Sequence, residues 1–159
     1  MRRISLCLTL VALTSCSGDS NGGGTSPTQP VTPVATSITL SILSVSLSSL
    51  GETSQLAATV MDQSGAAMSG QTVSWTSSDD VVATVSGGNV TAVANGSATI
   101  TATSGSVSAT ASATVAQVAA SITLSTDTIS LAVLGDTLTV SAEVADAAGA
   151  SVQGAQVVW

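Results

Sequence analysis

Short runs of Val, Ile, Leu, Ala and Thr, broken by Gly, Asn, Asp and Ser at intervals of about 8 to 12 residues, give this chain the spacing of strands and turns. Apolar residues do not recur at helical spacing. The pattern predicts strands over 36–41, 45–47, 53–62, 71–76, 82–86, 89–93, 98–103 and 107–115. In the third of these runs Leu56, Ala58 and Val60 alternate with Ala57, Thr59 and Met61, so one set faces a core and the other faces away. Val73 and Trp75 continue the inward set, and Val90 and Ile100 complete the expected core with Leu56 and Val60. Ser64-Gly65, Gly87-Gly88-Asn89, Asn95-Gly96 and Ser104-Gly105 supply turn residues, Asn95-Gly96 being the clearest hairpin signal. The fold class these elements imply is an all-β sandwich.

The pattern repeats. Ser37 to Trp75 returns without a gap as Ser121 to Trp159, an offset of 84 (121 − 37). Ser37-Ile38-Thr39-Leu40-Ser41 becomes Ser121-Ile122-Thr123-Leu124-Ser125, and Leu50-Gly51, Asp62, Gly65, Gly70, Val73 and Trp75 recur at the same offset. A period of this length exceeds the roughly 20 to 50 residues of stacking repeats, so each copy is expected to be a domain with its own core. The reading is one complete domain over 36–116 and the N-terminal half of a truncated second copy over 117–159. Ala116 to Ala120 joins them without Gly or Pro, a short junction with little hinge freedom.

Ahead of the first repeat the pattern changes. Arg2 and Arg3, the chain's only cations, precede an apolar run from Ile4 to Leu13 that is too short for the roughly 20 residues of a spanning helix. The run ends in Leu13-Thr14-Ser15-Cys16, which resembles the lipobox of bacterial lipoproteins. That resemblance implies a signal peptide over 1–15, cleavage before Cys16, and lipid on Cys16 as the membrane attachment. By resemblance to the lipoproteins of two-membrane bacteria, Ser17 in place of an aspartate implies sorting to the outer membrane or cell surface. Residues 16–35, rich in Gly, Ser, Thr and Pro and carrying Pro27, Pro30 and Pro33, read as a tether that cannot bury a core.

Within the first repeat, several motifs together resemble the group 2 bacterial immunoglobulin-like domain of intimin- and invasin-type surface proteins. They are Ser37-Ile38-Thr39-Leu40, Leu50-Gly51-Glu52-Thr53-Ser54-Gln55-Leu56, Val73-Ser74-Trp75-Thr76-Ser77-Ser78-Asp79, Val82-Ala83-Thr84-Val85 and the stretch from Val90 to Ile100. The resemblance runs from Ala35 to Val115 and, in the second copy, as far as Trp159. It implies an immunoglobulin-like β-sandwich with Trp75 on a central strand between the sheets.

Composition narrows the chemistry. The chain has nine acidic residues, two arginines and no Lys or His, for a net charge of −7. Cleavage before Cys16 would remove both arginines and Cys7, leaving no cation to displace counterions from nucleic acid and no second thiol for a disulfide. Nucleic acid is therefore not an expected partner. Many serines are present, but no His or Lys to activate one, so no catalytic residue and no cofactor is expected. Asp79-Asp80 is the sole adjacent acidic pair and sits in a loop where aspartate stabilises turns. Asp79 and Asp80 are the foremost calcium candidates, with Glu52, Asp62, Asp127 and Asp146 as further oxygen donors, but no loop has a dense calcium-binding spacing.

The expected function is that of a non-catalytic cell-envelope lipoprotein, its immunoglobulin-like modules forming a surface stalk or adhesive face toward a surface protein or glycan. The alternative is an anchor and spacer for a longer protein whose further C-terminal region carries an enzymatic or glycan-binding domain.

Overall fold

The computed structural model describes residues 31–159; the expected signal peptide, Cys16 and most of the expected tether lie outside them. In the first repeat the strands are β1 (Ala35–Leu40), β2 (Ser44–Leu47), β3 (Thr53–Gln55), β4 (Ala58–Asp62), β5 (Ser74–Ser77), β6 (Ala83–Ser86), β7 (Asn89–Ala92), β8 (Gly96–Ser104) and β9 (Val107–Val115). Two more, β10 (Ser121–Leu124) and β11 (Ala142–Ala145), follow in the second, and no helix occurs among the described residues.

One layer is the sheet β2-β9-β8-β5, in which β2 runs parallel to β9 and the other pairs are antiparallel. The other layer consists of β3-β7-β6 and the ribbon β1-β4. Alternation sets the inner faces. Ala98, Ile100 and Ala102 of β8 and Ala111, Ala113 and Val115 of β9 are buried, while Thr99, Ser112 and Thr114 are exposed. The alanines keep this face low, so Leu56, Val60 and Val90 of the opposite layer fill the space between. Ile38 and Leu40 of β1 and Val45 and Leu47 of β2 extend the same cluster. The molecule is thus an all-β sandwich.

Three local features differ from the sequence reading. The run 53–62 is two strands: β3 pairs with β7, whereas β4 pairs with β1. Between them the Leu56 amide donates to Gly88 O at 2.8 Å and the Ala57 amide to Ser41 Oγ at 3.0 Å, so the path passes from one partner to another without losing a backbone bond. Asn95-Gly96 is no hairpin either. It carries the chain from β7 in one layer to β8 in the other. Gly96 has φ +149°, and a Cβ there would lie 2.8 Å from Val82 Cγ2, so the glycine serves a close crossover. Trp75, expected on a central strand, lies on β5 at the edge of its sheet, paired with Ala102 and half-buried against the core. Its ring reaches Gly88, where a Cβ would meet Trp75 Cζ2 at 3.1 Å and Leu56 O at 2.3 Å.

The hairpins at Gly87-Gly88 and Gly105-Ser106 join β6 to β7 and β8 to β9. In the second repeat, Ile122 pairs with Val144 and Leu124 with Ala142, the register of Ile38 on Val60 and Leu40 on Ala58 moved by 84 positions. The side-chain environment is not the same: Ile122 and Leu124 are 55% and 50% exposed, against 8% and 7% for Ile38 and Leu40. Residues 32–159 hold together as one compact unit.

Candidate functional site

The most heavily bonded polar side chain of the described residues lies where the two repeats meet. It is built from three pieces of chain. The first is the turn after β2. Glu52 Oε2 accepts the amides of Ser48 at 2.6 Å and Ser49 at 3.1 Å and the Ser48 hydroxyl at 3.1 Å, closing the turn from its own side. The Ser48 amide, followed by its hydroxyl, holds the Glu52 carboxyl below the usual carboxylate range. The Gly51 amide to Ala92 O and the Ala92 amide to Glu52 O, both 2.9 Å, fasten the turn to the end of β7. With these donors engaged, the Leu50 amide remains available to point away from the turn.

The second piece is the connection itself. The Ala116 amide donates to Leu47 O and the Val118 amide to Ser48 O, both at 2.9 Å, and the Ala120 amide donates to Ala145 O at 2.8 Å. The segment is therefore tied to the first repeat at its start and to the second at its end. Within it, Gln117 is oriented by Asn95: the Gln117 amide donates to Asn95 Oδ1 at 2.8 Å, and Asn95 Nδ2 donates to Gln117 Oε1 at 3.1 Å. This leaves Gln117 Nε2 directed outward.

The third piece is the turn after β11. Asp146 Oδ1 accepts the amides of Ala148 at 3.0 Å and Ala150 at 2.9 Å, an aspartate bonding its own turn. Its other oxygen crosses the junction. Oδ2 accepts the Leu50 amide and Gln117 Nε2, each at 2.9 Å, while Gln117 Nε2 also reaches Ser151 O at 3.3 Å. Asp146 is only 2% exposed, and four donors on one carboxylate make that burial affordable without a cation. The Gln117 side chain, then the Leu50 amide, hold its pKa down to about 2. Beside this contact an open crevice of about 520 Å³ separates the Ser48–Glu52 turn from Ala147 and Ala148.

The other residues singled out from the sequence are dispersed. Leu56, Val60, Val90 and Ile100 are buried in the sandwich, with Val73 and Trp75 partly buried against it. Asp79 and Asp80 are exposed in the turn before β6, where Asp79 Oδ1 accepts the Val81 amide at 3.0 Å. Asp62 closes its own turn through Ser64 and Ala66. Among the described residues no three His, Cys, Asp or Glu side chains gather where they could hold a metal ion. Cys16 lies outside the described residues. Leu50, Asn95 and Gln117 were not singled out in the sequence as parts of a junction; the signal for it was the return of Asp62 as Asp146 at the repeat offset.

This sandwich, with its first strand path divided between β1 and β2 and the latter parallel to β9, defines the class of immunoglobulin-like domains. The bacterial Ig-like domain (group 2) matches residues 31–115, more than half of the chain, and the chain belongs to that family. Among solved structures, surface layer protein SbsC domains 1-6 is similar at 27% identity and a TM-score of 0.50, over 76% of this chain and 17% of that one. SbsC domains 4-9 is similar at 26% identity and a TM-score of 0.50, over 76% and 21%. The Yersinia pseudotuberculosis adhesin InvE lies further off, at 19% identity over 57% of this chain and 29% of that one, with a TM-score of 0.37. The chain thus spans about a fifth of these two SbsC structures, and 54% and 66% of shorter SbsC pieces that hold domains 4 and 5 and domains 5-6. No curated protein sequence matches it.

Proposed function

We propose that this chain is a non-catalytic module of the cell envelope, attached to a membrane through lipid on Cys16 and projecting immunoglobulin-like domains outward as a stalk or interaction surface. The observation that carries the reading is the junction: a buried carboxylate takes donors from the first repeat and from the connection, so successive repeats are joined by specific bonds as a spacer requires. Family membership and the likeness to a surface layer protein support a place at the cell surface. The basic, apolar and lipobox sequence supports the lipid anchor. Contact with a surface protein or glycan would be made by exposed loops and strand edges. Growth with a palmitate analogue tests the anchor: label is expected on the wild-type protein and absent from Cys16→Ser, and equal label on both would overturn lipidation.

The similarity to SbsC structures that run through several domains, of which this chain covers 17% and 21%, favours a second reading in which the chain is the anchor and spacer of a longer protein. Sequencing the encoding DNA beyond the Trp159 codon separates the two. A stop after one further half-repeat supports a small stalk, and a long extension with catalytic or glycan-binding residues supports the spacer.

A further inference from the structure

The turn that receives Asp146 has a second version in the same chain. In the first repeat Glu52 Oε2 takes the amides of Ser48 and Ser49 and leaves the Leu50 amide for Asp146 Oδ2. At the repeat offset, Asp136 Oδ2 takes the amides of Ala132 at 3.1 Å and Val133 at 3.0 Å. The next residue is Leu134, the counterpart of Leu50, whose side chain is fully exposed. Among the described residues the donor turn is thus assembled twice, with a shorter acid closing it the second time, and it is covered once.

The matching half of the contact also occurs twice. Asp62 Oδ1 accepts the amides of Ser64 at 2.8 Å and Ala66 at 2.9 Å, as Asp146 Oδ1 accepts those of Ala148 and Ala150. The hairpin is a rigid device that fixes one carboxylate oxygen and presents the other. What covers the turn in the first repeat is therefore known in kind: the aspartate hairpin that follows 84 positions after that repeat's own.

We propose that the turn over 132–136 is a docking site for the aspartate hairpin of another copy of this module, joined as Asp146 joins Leu50. The site takes a carboxylate held in a short β-turn, and its partner is a further immunoglobulin-like repeat. Head-to-tail repetition of this one contact gives each module a fixed orientation on the one before it, an orientation specified by backbone amides and one glutamine. The inference rests on the reading of the chain as a modular spacer, but not on its lipid anchor.

Amide hydrogen exchange tests it by NMR. In the chain as it stands, the Leu50 amide is expected to be protected and the Leu134 amide to exchange freely. Asp146→Ala should release the Leu50 amide by about tenfold or more while Val90 and Ile100 stay protected. A longer chain, with a second Thr76–Trp159 segment fused after Trp159, keeps the 84-residue period and supplies the missing hairpin, glutamine and asparagine. There the Leu134 amide should slow by about tenfold or more, and alanine at the appended hairpin's aspartate should reverse the gain. Free exchange at Leu134 in the longer chain, with Leu50 still protected, would overturn the docking site. Should the longer chain fail to fold, equal exchange of Leu50 in wild type and Asp146→Ala would overturn it from the existing chain alone. Neither outcome alters palmitate labelling at Cys16, so failure of this contact and failure of the anchored-stalk reading are distinguishable.

Discussion

Asp62 and Asp146 occupy the same place in two copies of one turn, yet among the described residues only Asp146 uses its second oxygen to bond another part of the chain. Asp62 Oδ1 accepts two amides and the Ser64 hydroxyl, the last at 2.6 Å. At the position of Ser64 the second copy has Ala148, which has no hydroxyl to offer. Asp146 gains Leu50 and Gln117 instead. A local turn device has become a connector between repeats through neighbouring residues, with the aspartate itself unchanged.

The junction should respond to acid in a defined window. The Asp146 pKa is lowered from 3.8 to about 2 by Gln117, Leu50 and its own turn, so the folded junction prefers the charged carboxylate. A depressed carboxyl pKa stabilises the fold above the unfolded value and loses that contribution as pH falls through the folded one. The contact is expected to be intact at neutral pH and to weaken between about pH 4 and pH 2. The amide shift of Leu50 and the side-chain amide shifts of Gln117, followed by NMR, should titrate together in that range. In Asp146→Asn this joint titration should disappear; its persistence would assign the acid response to another group.

Glu52 is expected to act through the turn it closes. Its Oε2 gathers Ser48 and Ser49, and in the second copy the shorter Asp136 does the same for Ala132 and Val133. Glu52→Asp should therefore keep the Leu50 amide protected from exchange. Glu52→Ala removes the acceptor, frees the two amides and should raise Leu50 exchange several-fold while leaving the β8–β9 ladder protected. Equal protection in both variants would show that the fastening of Gly51 and Glu52 to Ala92 is sufficient by itself.

Much of the sandwich was legible in the alternation, because strands with one wet face write their inner positions at every second residue. Leu56, Val60, Val90 and Ile100 follow that rule, and all are buried. The splitting of 53–62 was not legible, since Leu56 stays inward while the backbone changes partner from β7 to β1 and the side-chain period carries no trace of it. Asn95-Gly96 misled for a related reason: a glycine needed for close approach to Val82 reads the same as one needed for a hairpin. The junction was half visible. Asp146 stood out as a repeated acid, but its partners Leu50 and Gln117 lie 96 and 29 positions away and are ordinary residues in sequence.

Trp75 and Ile100 should differ in cost despite their shared core. Ile100 is fully buried at the centre of the sandwich, and its replacement by alanine leaves a cavity that neighbours cannot reach, a loss of about 3 to 4 kcal/mol. Trp75 is larger but half-buried on the edge strand β5, with its ring over Gly88. Trp75→Ala is expected to cost about 2 to 3 kcal/mol, less than a fully enclosed tryptophan would. Urea denaturation of each variant with an unchanged slope would give the two values directly. A larger loss for Trp75 than for Ile100 would place the mechanical centre of the domain at the β5 edge.

Calcium is expected to leave the chain's stability unchanged. Asp79 is engaged in its turn: Oδ1 accepts the Val81 amide at 3.0 Å, its carbonyl accepts Val82 and Ala83 at 3.2 and 3.0 Å, and its amide donates to Ser77 Oγ at 3.2 Å. Asp80 is exposed beside it, and a calcium ion takes six to eight oxygens that this turn does not assemble. Binding to the folded state alone would add about 2.7 kcal/mol at a hundredfold excess over Kd, and about 1 kcal/mol already moves the melting temperature of a domain this size by about 4 to 8 °C. A thermal melt with and without millimolar calcium therefore has the resolution to decide. Superimposable curves are the expected result. A rise of several degrees that vanishes in both Asp79→Asn and Asp80→Asn would make this turn a calcium site and give the surface module a cation-dependent stiffness.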